Sequence, residues 1–188
     1  ANDAKVRVLG VDEATLNAVG AVHEDTALAM AEGARRVAGL VNNAGVGYMM
    51  RHTADLTLDE WKLVLDVNLT ATFRLCKGVM RGMMKARRGR IINVGSVVGL
   101  MGNPGQSNYC AAKAGLAMLT QSLAKELGPE IRVNGIGPGA ILWPENDMDE
   151  STKQFIIERT ALKRHGEPSD IARAILFLVR DAEYITEQ

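Results

Sequence analysis

Tyr109 and Lys113 stand four residues apart in the stretch Asn108-Tyr109-Cys110-Ala111-Ala112-Lys113-Ala114. On a helix that spacing puts both side chains on one face, about one turn apart. A cation beside a phenol favours the phenolate, so Lys113 is expected to lower the pKa of Tyr109 from its ordinary value of about 10. A tyrosine tuned that way can give a proton to a reduced carbonyl, or take one back, near neutral pH. Ser96 follows the apolar run Ile91-Ile92-Asn93-Val94, which reads as a strand. It is therefore expected at the carboxyl end of that strand, where open α/β sheets bind their ligands.

The element that must carry Tyr109 and Lys113 is a helix from Gln106 to Leu127. A bare Y-x-x-x-K pair also occurs on ordinary helix surfaces, so its neighbours decide its meaning. Upstream, Asn42-Asn43-Ala44-Gly45 ends a short strand that begins at Gly39. Thr57-Leu58-Asp59-Glu60 is a capping box. It opens a long helix with Trp61, Leu65, Leu69, Phe73 and Cys76 on or near one face, and with Met80, Met83 and Met84 as core or interface filler. Asn68 lies inside that helix, where a polar side chain is mildly unfavourable unless it is used. The basic turn Lys85 to Arg90 reads as a solvated helix end, with a docking patch for a carrier as the alternative. Val97 to Asn108, rich in glycine and including Met101, reads as a loop forming one wall of a site. Cys110 points away from Tyr109 around the helix and reads as packing. Downstream, Pro138-Gly139 follows the strand Ile131 to Gly137, residues 145–165 read as a mobile lid, and a last helix starts near Gly166 with Ile171, Ala174, Ile175 and Leu178 facing inward.

Taken in this order, the motifs resemble the short-chain dehydrogenase/reductase family over residues 39–188. The resemblance implies an α/β fold, a Rossmann-like doubly wound parallel sheet in a single domain. It implies hydride transfer from a nicotinamide cofactor, NADPH with NADH as the alternative, to the carbonyl of a small molecule or of an acyl group on an acyl carrier protein. The implied catalytic residues are Asn68, Ser96, Tyr109 and Lys113. Asn68 would hold a water in a proton path running from Tyr109 through the cofactor ribose to Lys113. The implied cofactor contacts are Asn42, Ala44, Gly45, Tyr109, Lys113, Pro138, Gly139 and Ile141. Asp12 matches the acidic residue that meets adenine, or is simply a helix N-cap. Ser96, Met101 and Trp143 would face substrate. Residues 39–126 resemble the acyl-carrier reductase branch, which suggests a 3-oxoacyl thioester. Residues 114–188 resemble the bacterial pteridine reductases, which suggests a dihydropterin stacked on Trp143.

Residues 1–38 depart from the pattern. Lys5 to Val11 reads as a strand and Glu24 to Val37 as a helix. The family's T-G-x-x-x-G-x-G turn is not reproduced by Gly10, Gly20, Gly33 and Gly39. The expectation is a sheet lacking its first βαβ unit and its last strand, truncated at both ends. A folded but inactive scaffold, without the backbone donors that hold a pyrophosphate, is then the reading of another class.

Composition narrows the classes further. The 188 residues carry no net charge, which points to neither a nucleic-acid nor an anionic-membrane partner. Two cysteines and three scattered histidines suggest neither a disulfide framework nor a metal site. No apolar run is long enough to span a bilayer, and the expectation is a cytoplasmic chain. A homodimer or homotetramer is expected where the chain ends permit it.

Overall fold

The computed structural model describes residues 39–47, 51–141 and 149–188. The strand and helix expected within residues 1–38 lie outside them, as do Asp12 and Trp143. Three strands form a parallel sheet in the order β1 (Gly39–Asn42), β2 (Gly89–Val94), β3 (Ile131–Ile136). The register sets Asn42 beside Asn93 and Asn93 beside Gly135. Buried parallel strands read as continuous apolar runs, and Ile91-Ile92 in β2 does so.

Between β1 and β2 lie α1 (Leu58–Leu65), a π-helical turn (Asp66–Thr70) and α2 (Ala71–Ala86). The capping box forms as expected: the Thr57 side chain accepts from Glu60 N–H, and Glu60 accepts from Thr57 N–H. After β2 come a short helix α3 (Val98–Met101), inside the stretch expected to be loop, and α4 (Ser107–Leu127). After β3 come α5 (Glu150–Arg159), capped by Asp149, and α6 (Pro168–Arg180).

The sheet is covered on both faces. Leu40, Ile91 and Val133 pack with Cys76 and Met83 of α2 and with Leu123 and Leu127 of α4. Val41, Ile92 and Val94 pack with Ile175, Leu178 and Val179 of α6. Helices on both faces of a parallel sheet make the doubly wound, Rossmann-like α/β arrangement. Residues 186–188 run beside β3: Glu187 N–H donates to Val133 O at 2.9 Å and Gly135 N–H donates to Gln188 O at 2.6 Å. Among the described residues no helix is long and apolar enough to cross a membrane.

The long helix presents a different face from the expected one. Val64, Asn68, Thr72 and Cys76 are buried, whereas Trp61, Leu65 and Leu69 are only half-buried and Phe73 is exposed. The buried series advances by four residues per step. An α-helix drifts on that spacing, and the wider π-helical turn offsets part of the drift. The stripe expected from ordinary helical spacing is thus one residue out of phase. Of the three methionines, Met83 is fully buried, Met80 packs against the core and Met84 is exposed.

Candidate active site

Because the strands are parallel and in register, their carboxyl ends share one edge of the sheet. Asn42 leads there into Ala44 and Gly45, Val94 into Ser96, and Ile136 into Pro138 and Gly139. The loops after β2 and β3 are joined, with Gly95 N–H donating to Ile136 O at 2.7 Å and Val97 N–H to Pro138 O at 3.1 Å. Beyond them, Gly166 N–H donates to Ala140 O at 2.9 Å, which holds the stretch before Ile141 against the start of α6.

The amino end of α4 lies across this edge. Tyr109 and Lys113 share a face of α4 as the spacing requires, with Lys113 Nζ 5.5 Å from the centre of the Tyr109 ring. Lys113 is 4% exposed and donates to Val94 O at 2.9 Å. The Ser96 hydroxyl lies toward that of Tyr109, close enough to favour the ionised phenol. Gly47 lies over the tyrosine, where a Cβ would come within 3.5 Å of the ring. Residues 51–53 rest on the start of the helix through Arg51 N–H to Gly105 O, at 2.9 Å, and through the Thr53 and Ser107 hydroxyls, 3.1 Å apart.

The electrostatics correct one expectation. Burial pushes the Tyr109 phenol above its ordinary value; the Ser96 hydroxyl pulls it back, and the neighbouring Cys110 adds a smaller push upward. Lys113 is not among the influences that set this balance. Its ammonium stands over the ring, 5.5 Å from the centre, and donates to the Val94 carbonyl, while burial lowers its own pKa to about 8. Taking charge out of water costs both groups their ionised forms, and here that outweighs their attraction.

Asn68 arrives from the π-helical turn. Its Nδ2 donates to Val64 O at 2.9 Å, inside its own helix, and to Val46 O at 2.7 Å. Its Oδ1 is buried without a hydrogen-bond partner. A Cβ on Gly45 would stand 2.7 Å from that oxygen and 3.5 Å from Lys113 Nζ, so the glycine keeps open a polar space between the two.

Ser96, Tyr109, Lys113, Asn68, Gly45, Pro138 and Gly139 are therefore drawn to one edge. Ala44 precedes Gly45 in the same turn. Asn42 differs: its side chain turns into the helix-covered face of the sheet and bonds Asn93 rather than facing the edge. Met101, at 78% exposed, lies outward on α3 beside Leu100. Cys110 is half-buried with Sγ 4.0 Å from Asn103 O, consistent with packing. The basic turn around Arg87 lies at the amino end of β2, a whole strand of roughly 20 Å from Ser96, and Arg87 pairs with Glu130. Sequence reading assigns Gly47 and Gly99 no role beyond loop, because their close neighbours come from distant parts of the chain. Among the described residues no cluster of histidine, cysteine and carboxylate side chains suits a metal ion.

Comparison with known proteins agrees with this geometry. The family model described as enoyl-(acyl carrier protein) reductase matches residues 4–188. The 3-oxoacyl-acyl-carrier-protein reductase of Vibrio cholerae is 46% identical over 156 residues, covering 78% of this chain and 61% of that protein. The reductase of the same name from Thermotoga maritima is 42% identical over 161 residues, covering 81% of this chain and 63% of that protein. The chain thus spans about three fifths of the length of the curated relatives it matches. A crystal structure of a proposed gluconate dehydrogenase from Agrobacterium tumefaciens superposes with a TM-score of 0.83 at 28% identity, covering 88% of this chain and 69% of that one. The parallel sheet, the tyrosine–lysine helix across its carboxyl edge and the match over residues 4–188 agree: the chain belongs to the short-chain dehydrogenase/reductase family.

Proposed function

We propose that this chain carries the catalytic centre of a nicotinamide-dependent carbonyl reductase whose substrate is a 3-oxoacyl thioester borne on an acyl carrier protein. The observation that carries the reading is the hydroxyl pair of Ser96 and Tyr109 at the sheet's carboxyl edge, beside buried Lys113. The substrate class follows the names of the relatives at 42–46% identity.

The residues present fit the nicotinamide end of such a cofactor. Gly45 leaves bare backbone beside a polar space, and Pro138 and Gly139 border Ser96 through the loop contact. Ala44, Gly45, Tyr109, Lys113, Pro138, Gly139 and Ile141 would hold it there, with NADPH as the expected form and NADH as the alternative. When bound, the nicotinamide supplies a hydride to the carbonyl carbon.

The chain's own groups handle the oxygen and the proton. Ser96 donates a hydrogen bond to the carbonyl oxygen and holds it near the tyrosine. The raised pKa of Tyr109 keeps its proton in place at neutral pH, as a general acid requires, and that proton passes to the oxygen as negative charge develops. With its pKa near 8, Lys113 stands close to both protonation states and can return the proton. The orphan Asn68 Oδ1 faces the same space and can accept from a water that links Lys113 to solvent.

The test pairs cofactor binding, by fluorescence titration, with turnover of a 3-oxoacyl thioester and of a dihydropterin. The expected result is binding of NADPH by the wild type and by Tyr109→Phe, with kcat on the thioester reduced by roughly a hundredfold or more in the variant. Turnover unchanged by Tyr109→Phe would overturn the mechanism. Faster turnover of the dihydropterin would overturn the substrate, and no binding of either nicotinamide at millimolar concentration would leave the inactive scaffold.

A further inference from the structure

Beneath the site runs a chain of buried side-chain hydrogen bonds. Asn42 Nδ2 donates to Asn93 Oδ1 at 2.8 Å, Asn93 Nδ2 donates to Thr120 Oγ1 at 2.9 Å, and the Thr120 hydroxyl donates to Leu116 O at 2.8 Å. All three side chains are buried. The direction of the chain is fixed from one end. A backbone carbonyl can only accept, so the Thr120 proton is committed to Leu116 and its oxygen must receive. Asn93 must then present its nitrogen to Thr120 and its oxygen to Asn42, which sets both amide orientations.

The row on which Thr120 lands is shaped to admit it. Asn42, Asn93 and Gly135 are register partners across the three strands. Gly135 has no side chain, and a Cβ there would lie 3.8 Å from Thr120 Cγ2. The threonine therefore sits over the bare end of the row, with Asn93 beside it.

Two consecutive residues of β2 thus hold α4 at two points. The Asn93 amide grips Thr120, and the Val94 carbonyl accepts from Lys113 Nζ. The gripped residues are seven apart, two turns or roughly 10.5 Å along the helix. One grip leaves a rigid helix free to swing about it, whereas two fix both its axial register and its direction. Apolar packing of equal volume would supply contact without direction, and directed bonds are what a buried amide adds.

We propose, resting on the roles given above to Tyr109 and Lys113, that Thr120 and Asn93, braced by Asn42, are positioning residues for the reaction. Their hydrogen-bond chain sets the register of α4 against β2, and so the placement of the Tyr109 hydroxyl and Lys113 Nζ relative to Ser96. None of the three touches the reacting atoms.

The experiment compares Thr120→Val, which keeps the volume and removes both bonds, with Thr120→Ser, which keeps the hydroxyl. The first readout is the titration of Lys113 followed by NMR of its labelled Cε, with the signal identified by its loss in Lys113→Arg. The expected result is a midpoint displaced by about half a pH unit or more in Thr120→Val, as the ammonium's burial and its bond to Val94 change, and restored in Thr120→Ser. The second readout is kcat, expected to fall roughly tenfold to a hundredfold in Thr120→Val with KM held within about twofold, and to recover in Thr120→Ser. A midpoint that stays put in Thr120→Val, or that Thr120→Ser does not restore, overturns the proposal. If Thr120→Val does not fold, Thr120→Cys, which keeps a weak acceptor, replaces it with a smaller displacement expected and the same criterion. The titration needs no turnover, so a wild type that reduces no carbonyl would defeat the functional reading while the Lys113 midpoint still decides this one.

Discussion

A Cβ on Gly99 would lie 2.8 Å from the carbonyl carbon of Lys113 and 2.9 Å from the amide nitrogen of Ala114. α3 therefore rides on the backbone of α4, three residues beyond Ser96 and at the level of the lysine. Both neighbours are backbone atoms, so no rotamer change can relieve an added methyl; one helix must move. Gly99→Ala is expected to lower stability by about 1–3 kcal/mol, the usual cost of overpacking. It should also lower turnover, because Ser96 leads into α3 and Tyr109 sits on α4, the two elements forced apart. Gly82→Ala is the matched control, with nothing within 4 Å of its Cβ inside α2, and is expected to stabilise by roughly 0.5–1 kcal/mol. Thermal melts of the two variants check the pair. Equal destabilisation would show that the α3–α4 contact is not the cause.

Lys113 gives the chain a specific alkaline response. Burial lowers its folded pKa to about 8, whereas an unfolded lysine titrates near 10.4. Below pH 8 both states carry the charge, and the folded state bears the cost of burying it. As pH rises from 8 to about 10.4 the folded state gives up the proton first, so this group's contribution to stability grows with pH. It is lost again as pH falls through 8. Tyr109 works the other way only above pH 10, where the unfolded phenol ionises before the buried one. Lys113→Met removes the lysine's dependence. The stability of wild type minus variant is expected to rise by roughly 3 kcal/mol between pH 8 and 10.4, read from urea midpoints at each pH. A flat difference would mean that the buried lysine is not strained as described.

What the sequence revealed and what it hid follow from the range of the interactions. The Tyr109–Lys113 pair is legible because one helical turn fixes it, and the Thr57–Glu60 capping box is legible for the same reason. The apolar run of β2 and the inward residues of α6 are legible through composition and periodicity. The buried face from Val64 to Cys76 is not, since nothing local announces a π-helical turn. The direction of the Tyr109 pKa is not legible, because it depends on burial, a property of the assembled fold, more than on the cation one turn away. Gly47, Gly99, Asn93 and Thr120 matter through partners 14 to 62 positions away, such as Asn93 on Thr120 at a separation of 27.

Arg132 shows how β3 is tied to the end of α6. Its side chain is 7% exposed, and its guanidinium donates to Leu178 O at 2.9 Å, Ile185 O at 3.2 Å and Val179 O at 3.4 Å. Two of these are carbonyls of the last helical turn, which have no partner within the helix and suit a cation. Arg132→Met should cost about 2–4 kcal/mol, since three carbonyls lose a charged donor at once. Arg132→Lys should recover only part of this, because a single ammonium cannot reach all three in the guanidinium's fork. Hydrogen exchange of residues 182–188, which include Ile185 and the backbone bonds to β3, should rise in both variants. Unchanged exchange there would sever the link between Arg132 and the terminal segment.

The space beside Gly45 allows the proton path to be tested separately from the fold. A methyl on that residue would stand 2.7 Å from Asn68 Oδ1 and 3.5 Å from Lys113 Nζ, filling the gap between them. Gly45→Ala is expected to reduce kcat by about tenfold or more by closing the route from Lys113 to solvent. It should also lower stability, because Asn68 is anchored by Val64 O and Val46 O and cannot simply turn away. The double variant Gly45→Ala/Asn68→Ala separates these effects. Removing the amide relieves the crowding, so thermal stability should recover part of the single variant's loss, a coupling expected of groups in contact. Turnover should stay low, because the acceptor that faced Lys113 has gone as well. If turnover recovered with stability, the crowding alone would account for the loss and Asn68 would have no part in moving the proton.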